Sequence, residues 1–265
     1  MKEPENSDIL SLDKSGLREF YYYHLARYHF AARFVRGKKV LDVGCAYGQG
    51  SALLLRSGAK KVVGIDLSAK AIRHCRKVYG SSDLSFSKQD VLRCRFPDHC
   101  FDLICAFDII EHLPQPELFI REMSRMLKTK GTLLLVTPNR EFFRLRSSRP
   151  LWPYHVREFS RRELKSLLVT KFKRVRFVGQ QATKGRYAIG VRRSFWAGLN
   201  HFLMEIYVLL PLFWRKILAQ AAIRLHRVKN VTFSHPYPLK IKNVRFLYPA
   251  EKVKSSRTIF AICKK

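Results

Sequence analysis

From residue 139 onward the chain has no aspartate and only five glutamates, set against 29 lysines and arginines. Residues 1–138 are closer to balance, with 22 basic and 15 acidic side chains, so the net charge of +31 over 265 residues falls mostly on the second half. That half cannot be neutralised from within. It points to an anionic partner, whether nucleic acid, a membrane surface or a phosphorylated or lipid-linked substrate, the duller reading being a solvated basic face. Paired cysteines are lacking too: the six at 45, 75, 94, 100, 105 and 263 include no C-x-x-C pair, which argues against a structural zinc. The first residues are polar and acidic and do not read as a signal peptide, so a reducing cytoplasm is the expected setting, with attachment to the inner face of a membrane left open. A clean membrane span is also missing. Phe195 to Trp214 is almost uniformly apolar, but Asn200, His201, Glu205 and Pro211 interrupt it, where a spanning helix needs about 20 largely uncharged residues.

What is present starts with Val40 to Gly50, Val-Leu-Asp-Val-Gly-Cys-Ala-Tyr-Gly-Gln-Gly. An apolar run that ends in glycines and passes into a helix from Ser51 is the pattern of a buried parallel strand opening onto a nucleotide-binding turn. A dinucleotide fingerprint reads G-x-G-x-x-G and lays a pyrophosphate on a helix N-terminus; here the glycines fall at 44, 48 and 50, with Asp42 ahead of them. Val62 to Ile65 is a second apolar strand, closing on Asp66. An acid about 20 residues after the glycine loop is where nucleoside-binding α/β folds accept hydrogen bonds from ribose hydroxyls. Ser68 caps a helix over 69–79. Leu84 to Ser87, Phe101 to Ala106 and Thr132 to Thr137 read as strands three to five, with a helical period from Glu117 to Leu127 between the last two. Phe172 to Gly179 and Thr258 to Ile262 read as a sixth strand and an antiparallel seventh. Ahead of them all, Phe20, Tyr21, His24, Leu25, Tyr28, Ala32 and Val35 keep helical spacing across Leu17 to Arg36.

Asp42-Val-Gly-Cys-Ala-Tyr-Gly resembles motif I of the class I S-adenosylmethionine-dependent methyltransferases, and Phe107-Asp108-Ile109-Ile110-Glu111-His112-Leu113 resembles their segment after strand four. The resemblance implies an α/β fold: a doubly wound, seven-stranded Rossmann-like sheet with an α-helical insertion between strands six and seven. It divides the chain into a helical lead-in over 1–38, a cofactor-binding catalytic domain over 39–180, a basic and apolar insertion over 181–256 and a last strand over 257–265. It implies S-adenosylmethionine as cofactor. Asp42, Gly44, Cys45, Ala46 and Gly48 would surround its methionine moiety, Asp66 its ribose, and Asp90 and Val91 its adenine, with Leu67 also at the cofactor and Phe107 and Asp108 passing under the methyl donor. Ala46 departs from the family's D-x-G-x-G-x-G, and its Cβ carries a cost if the position needs positive φ. Leu25-Ala-Arg-Tyr-His-Phe-Ala31 resembles the lead-in helix of methyltransferases (types 11 and 23) found with glycan-assembly enzymes, which makes Arg27 and Tyr28 pocket residues. Trp152-Pro-Tyr-His-Val-Arg-Glu-Phe-Ser160 resembles their segment over the active-site mouth, followed by a helix over 161–170 that Ser160 can cap.

Methyl transfer from a sulfonium is an in-line displacement that consumes positive charge, so positioning supplies much of the rate and a base is needed if the acceptor is a hydroxyl. His112 is the first candidate base and His155 the second, with Glu111 beside them; buried structural histidines are the duller reading. Asp108-x-x-Glu111-His112 with His155 also resembles the magnesium site of plant small-RNA 2′-O-methyltransferases. A divalent metal is therefore allowed but not favoured, because Glu-His-Leu also occurs in metal-free relatives. In the insertion, Ile217, Leu218, Ala221, Ala222 and Leu225 form one face, flanked by Arg215, Lys216, Arg224, Arg227 and Lys229. That is the pattern of an interfacial membrane helix, and equally of a cap or dimer interface packed on the sheet. Three readings stay open: an O-methyltransferase of a glycan, lipid-linked or small-molecule acceptor, an RNA methyltransferase using the basic half, and an inactive partner subunit of the same fold.

Overall fold

The structure, a computed structural model, describes residues 18–143, 149–182, 206–229, 244–247 and 256–265. Eight strands form one sheet: β1 (Lys39–Val43), β2 (Lys61–Asp66), β3 (Leu84–Lys88), β4 (Phe101–Phe107), β5 (Leu127–Pro138), β6 (Arg174–Ala182), β7 (Val244–Leu247) and β8 (Thr258–Lys264). Their spatial order is β3-β2-β1-β4-β5-β8-β6-β7. The first five are parallel, and β8 runs antiparallel between β5 and β6. Without β7 this is the seven-stranded arrangement that the resemblance implied. β7 is an addition: it comes from the insertion, which is therefore not helical throughout, and it pairs antiparallel with β6 from Gly179–Leu247 to Ala182–Val244.

The described helices are α1 (Arg18–Ala31), α2 (Gln49–Arg56), α3 (Ala69–Tyr79), α4 (Pro116–Met126), the single turn α5 (Arg140–Phe143), α6 (Arg161–Leu168) and α7 (Leu212–Lys229). α1 ends at Ala31 and continues as a 3-10 turn over Ala32–Phe34, short of the helix to Arg36 that the apolar spacing suggested. Ser68 caps α3 by accepting from the Ala71 N–H. Ser160 and Glu163 form a reciprocal capping box on α6. Most of Phe195 to Trp214 lies outside the described residues.

Successive side chains of a strand face opposite sides, so each near-continuous apolar strand supplies two cores. Leu41, Ile65, Ile104 and Leu135 pack with Phe119 and Met123 of α4 and Leu164 of α6 on one face. Val40, Val62, Leu103 and Val136 pack with Phe30 of α1, Leu54 of α2 and Ile72 of α3 on the other. The parallel order brings the C-terminal ends of β1 to β5 to one edge of the sheet, the edge where ligands bind in doubly wound folds.

Candidate active site

At that edge β1 delivers Asp42 into the core, 1% exposed, beneath the glycine turn. Ser51 Oγ donates to its Oδ2 at 2.5 Å and Tyr28 Oη to its Oδ1 at 3.2 Å. Burial pushes the Asp42 carboxyl up to about 7, against the downward pull of those two hydrogen bonds. Tyr28 reaches Asp42 because Gly50 has no side chain: a Cβ there would fall 2.1 Å from the Tyr28 ring. The turn itself is left-handed at Gly44, Ala46 and Gly48, so the one non-glycine among them carries the strain that its sequence position suggested. Ala46 is held on both sides, its N–H donating to Asp66 Oδ2 at 3.0 Å and its carbonyl accepting from the Cys75 thiol at 3.2 Å.

Asp66, at the end of β2, also accepts from the Ser68 N–H at 2.8 Å through Oδ1. Each carboxylate oxygen keeps a second lone pair for a ligand. Leu67 beside it is 61% exposed. Asp90 is exposed and accepts from the Leu92 N–H at 2.9 Å, while Val91 is buried. The side chains of Cys45 and Phe107 turn into the core, Phe107 against Tyr28 at 5.1 Å and Phe260 at 5.7 Å between ring centroids. Any ligand contact from those two residues falls to the backbone.

Asp108, left-handed at φ 54°, is ion-paired with Arg27 and lies 3.1 Å from His24 Nδ1. The Arg27 guanidinium holds its carboxyl well below the usual range despite burial, while burial and Arg27 push the His24 imidazole down. Arg27, itself 2% exposed, also donates from Nε to Gln180 Oε1 at 2.9 Å, which ties α1 to β6. Gln180 had no sequence signal; its amide donates to the Tyr23 carbonyl at 2.6 Å and its Oε1 accepts from Thr258 at 3.2 Å.

Past Asp108 the chain makes a short 3-10 turn over Ile110–His112. The Glu111 carbonyl accepts the N–H groups of Val156, at 2.8 Å, and Arg157, at 3.1 Å, so the segment around residue 155 is fastened to the turn after β4. That places the His112 and His155 rings edge to face, 4.9 Å between centroids. His112 Nδ1 faces the Tyr154 carbonyl at 3.1 Å and His155 Nδ1 faces Glu158 Oε1 at 2.8 Å. Two oxygen acceptors assign the proton of each neutral imidazole to Nδ1 and leave Nε2 as the basic nitrogen. Glu111 is fully buried. Thr137 Oγ1 donates to its Oε2 at 3.0 Å, its Oε1 has no hydrogen-bond partner, and burial together with the Asp108 charge pushes its carboxyl well up.

Glu111, His112 and His155 each bring a ligand atom within 4.8 Å of the other two. One orphaned carboxylate oxygen and two imidazoles held through Nδ1 fit a divalent ion, which would polarise a bound hydroxyl. Asp108 does not join them. Its Oδ2 is taken by Arg27 and His24, while its buried Oδ1 has no hydrogen-bond partner and lies outside the group of three, which departs from the four-residue constellation that the resemblance suggested.

Residues 41–135 match the model of a methyltransferase domain. A probable S-adenosylmethionine-dependent methyltransferase of Mycolicibacterium smegmatis is 32% identical over 179 residues, 64% of this chain and 68% of that one. The chain belongs to the S-adenosylmethionine-dependent methyltransferases. Its methyl donor is S-adenosylmethionine. A fatty-acid O-methyltransferase of the same organism is 32% identical over 133 residues, and there the match spans 49% of this chain and only 48% of the relative. Among solved structures, the [4+2]-cyclase SpnF superposes with a TM-score of 0.58 at 18% identity, over 92% of this methyltransferase and 81% of the cyclase. At that identity the likeness speaks to the fold alone. No helix among the described residues is long and apolar enough to cross a membrane.

Proposed function

We propose that this methyltransferase moves the methyl group of S-adenosylmethionine to a hydroxyl on a lipid-linked, glycan or small-molecule acceptor. The observation that carries the reading is the His112–His155 pair, fastened to the turn after β4 with the basic Nε2 of each ring set by its neighbour. The relative named as a fatty-acid O-methyltransferase supports oxygen as the acceptor atom.

In this reading Asp66 accepts from the ribose hydroxyls, Asp90 and the Val91 N–H meet the adenine, and the 44–48 turn holds the methionine moiety. Asp42 acts from below the turn, through Tyr28 and Ser51. The cofactor supplies an electrophilic methyl. His112 Nε2 takes the acceptor's proton as the oxygen attacks in line, and His155 orients the acceptor. A positioned base is worth roughly 100- to 10,000-fold in rate, so His112→Ala should keep S-adenosylmethionine affinity within about twofold and lose at least 100-fold in methyl transfer. Methyl-labelled cofactor, incubated with lipid, glycan, RNA and protein fractions, reads the outcome. Unchanged transfer by the variant would remove His112 from the chemistry, and label in RNA would replace the acceptor class.

A further inference from the structure

Arg215, near the start of α7, is an anomaly. Its side chain is 4% exposed, yet no carboxylate pairs with it among the described residues. One guanidinium nitrogen, Nη2, donates to the backbone carbonyls of Pro150 and Leu151, the latter at 3.2 Å, and the group lies 5.2 Å from the centre of the Tyr207 ring. Its Nε–H is buried with no acceptor. Buried cations are normally paired, and an orphaned charged donor is among the more costly groups to leave inside a protein.

Arg215 lies in the wall of a cavity of about 560 Å³ between the 149–156 segment and the 210–216 segment. Arg149 and Lys216 add two more cations to that wall, and among the described residues no acidic side chain lines it. Lys216 Nζ is held 5.8 Å from the Tyr154 ring centre. Apolar lining comes from Leu210, Leu212 and Val156, and the adjoining Leu209, Phe213 and Trp214 are exposed. His155 forms part of the same wall, which joins the cavity to the histidine pair.

We infer that this cavity is the acceptor subsite and that it takes a phosphate-bearing amphiphile, with the phosphate on Arg215 and Lys216 and the apolar chain running out along Leu212. A bound phosphate supplies the counter-ion that no described carboxylate gives the Arg215 guanidinium, and the guanidinium fork suits it better than a point charge would. The volume is in the range of small-molecule sites, which are mostly apolar with a few placed polar groups. The inference rests on the O-methyl-transfer reading only for the link to His155; the binding chemistry stands apart from it.

The test is binding without turnover. Octyl phosphate, octanol and inorganic phosphate, each below any micelle-forming concentration, are titrated calorimetrically into the full chain, with S-adenosylmethionine affinity measured separately. Octyl phosphate should bind at least tenfold more tightly than either fragment, and Arg215→Gln should erase most of that advantage while cofactor affinity stays put. Should Arg215→Gln fail to fold, Lys216→Ala carries the test, with at least a threefold loss for octyl phosphate and none for octanol. Equal binding of octanol and octyl phosphate, or variants that bind like the wild type, would overturn the inference while leaving methyl transfer intact. Inorganic phosphate binding as tightly as octyl phosphate would overturn the amphiphile. Octyl phosphate binding of the expected pattern in a protein that transfers no methyl group would support the subsite and sink the transfer reading instead.

Discussion

Asp42 couples stability to pH at the scale of one residue. Its carboxyl sits near 7 in the fold because burial disfavours the charge, against an ordinary value of 3.8. The native state therefore keeps a proton that the unfolded chain releases, and stability falls as pH rises from about 4 to about 7, by up to about 1.4 kcal/mol per pH unit. Asp42→Asn removes the charge and keeps an acceptor for Ser51 and Tyr28. In thermal melts the variant should gain on the wild type between pH 5 and 7.5 and hold a constant margin above that; a margin that does not change with pH would mean that no charge is being buried. Ala46 is the second residue-scale case. Left-handed backbone costs an L-residue about 1–2 kcal/mol, and glycine gives part of that back as unfolded-state entropy, so Ala46→Gly should stabilise by roughly 0.5–1 kcal/mol. That corresponds to a melting point higher by about 1–4 °C, and a lower one would show that the Asp66 and Cys75 contacts prefer alanine. The strain at Ala46 was legible from a motif with one glycine missing. Ser51 and Gln180 were not, because a polar side chain's partner nine or 157 residues away leaves no periodic trace.

At the scale of elements, β1 to β5 could be read because strands covered on both faces are apolar throughout and end in loops rich in glycine or acid. β7 could not. Its place at the sheet edge is set by backbone pairing with β6, which asks little of its side chains. The meeting of His112 and His155 was suggested by family likeness, but its cause is a backbone event, two N–H groups on the Glu111 carbonyl, that no residue type announces. The same junction decides the metal question. With His112 as base, activity should survive exhaustive chelation and dialysis, assayed with labelled cofactor. Loss of activity that magnesium or manganese restores in the wild type, and not in Glu111→Gln, would reassign Glu111, His112 and His155 to a metal.

For the whole molecule the governing property is the division of charge. Residues 139–265 carry 29 basic against five acidic side chains, and the start of α7 exposes Leu212, Phe213, Trp214 and Leu218 beside them. Basic side chains near an anionic surface contribute about 1 kcal/mol each, but only within a Debye length of about 10 Å at 0.1 M salt, whereas inserted apolar side chains are insensitive to screening. The two contributions can be separated. The protein should sediment with vesicles containing phosphatidylglycerol at 50 mM salt and retain a measurable part of that binding at 500 mM. A Phe213→Ser, Trp214→Ser double variant should sediment normally at low salt and lose the salt-resistant part. If binding vanishes entirely at 500 mM in the wild type, the basic half acts through charge alone, and the exposed residues of α7 do not insert into lipid. If the residual binding disappears with the two aromatics, the acceptor cavity beside Arg215 opens toward the surface from which an amphiphile would enter.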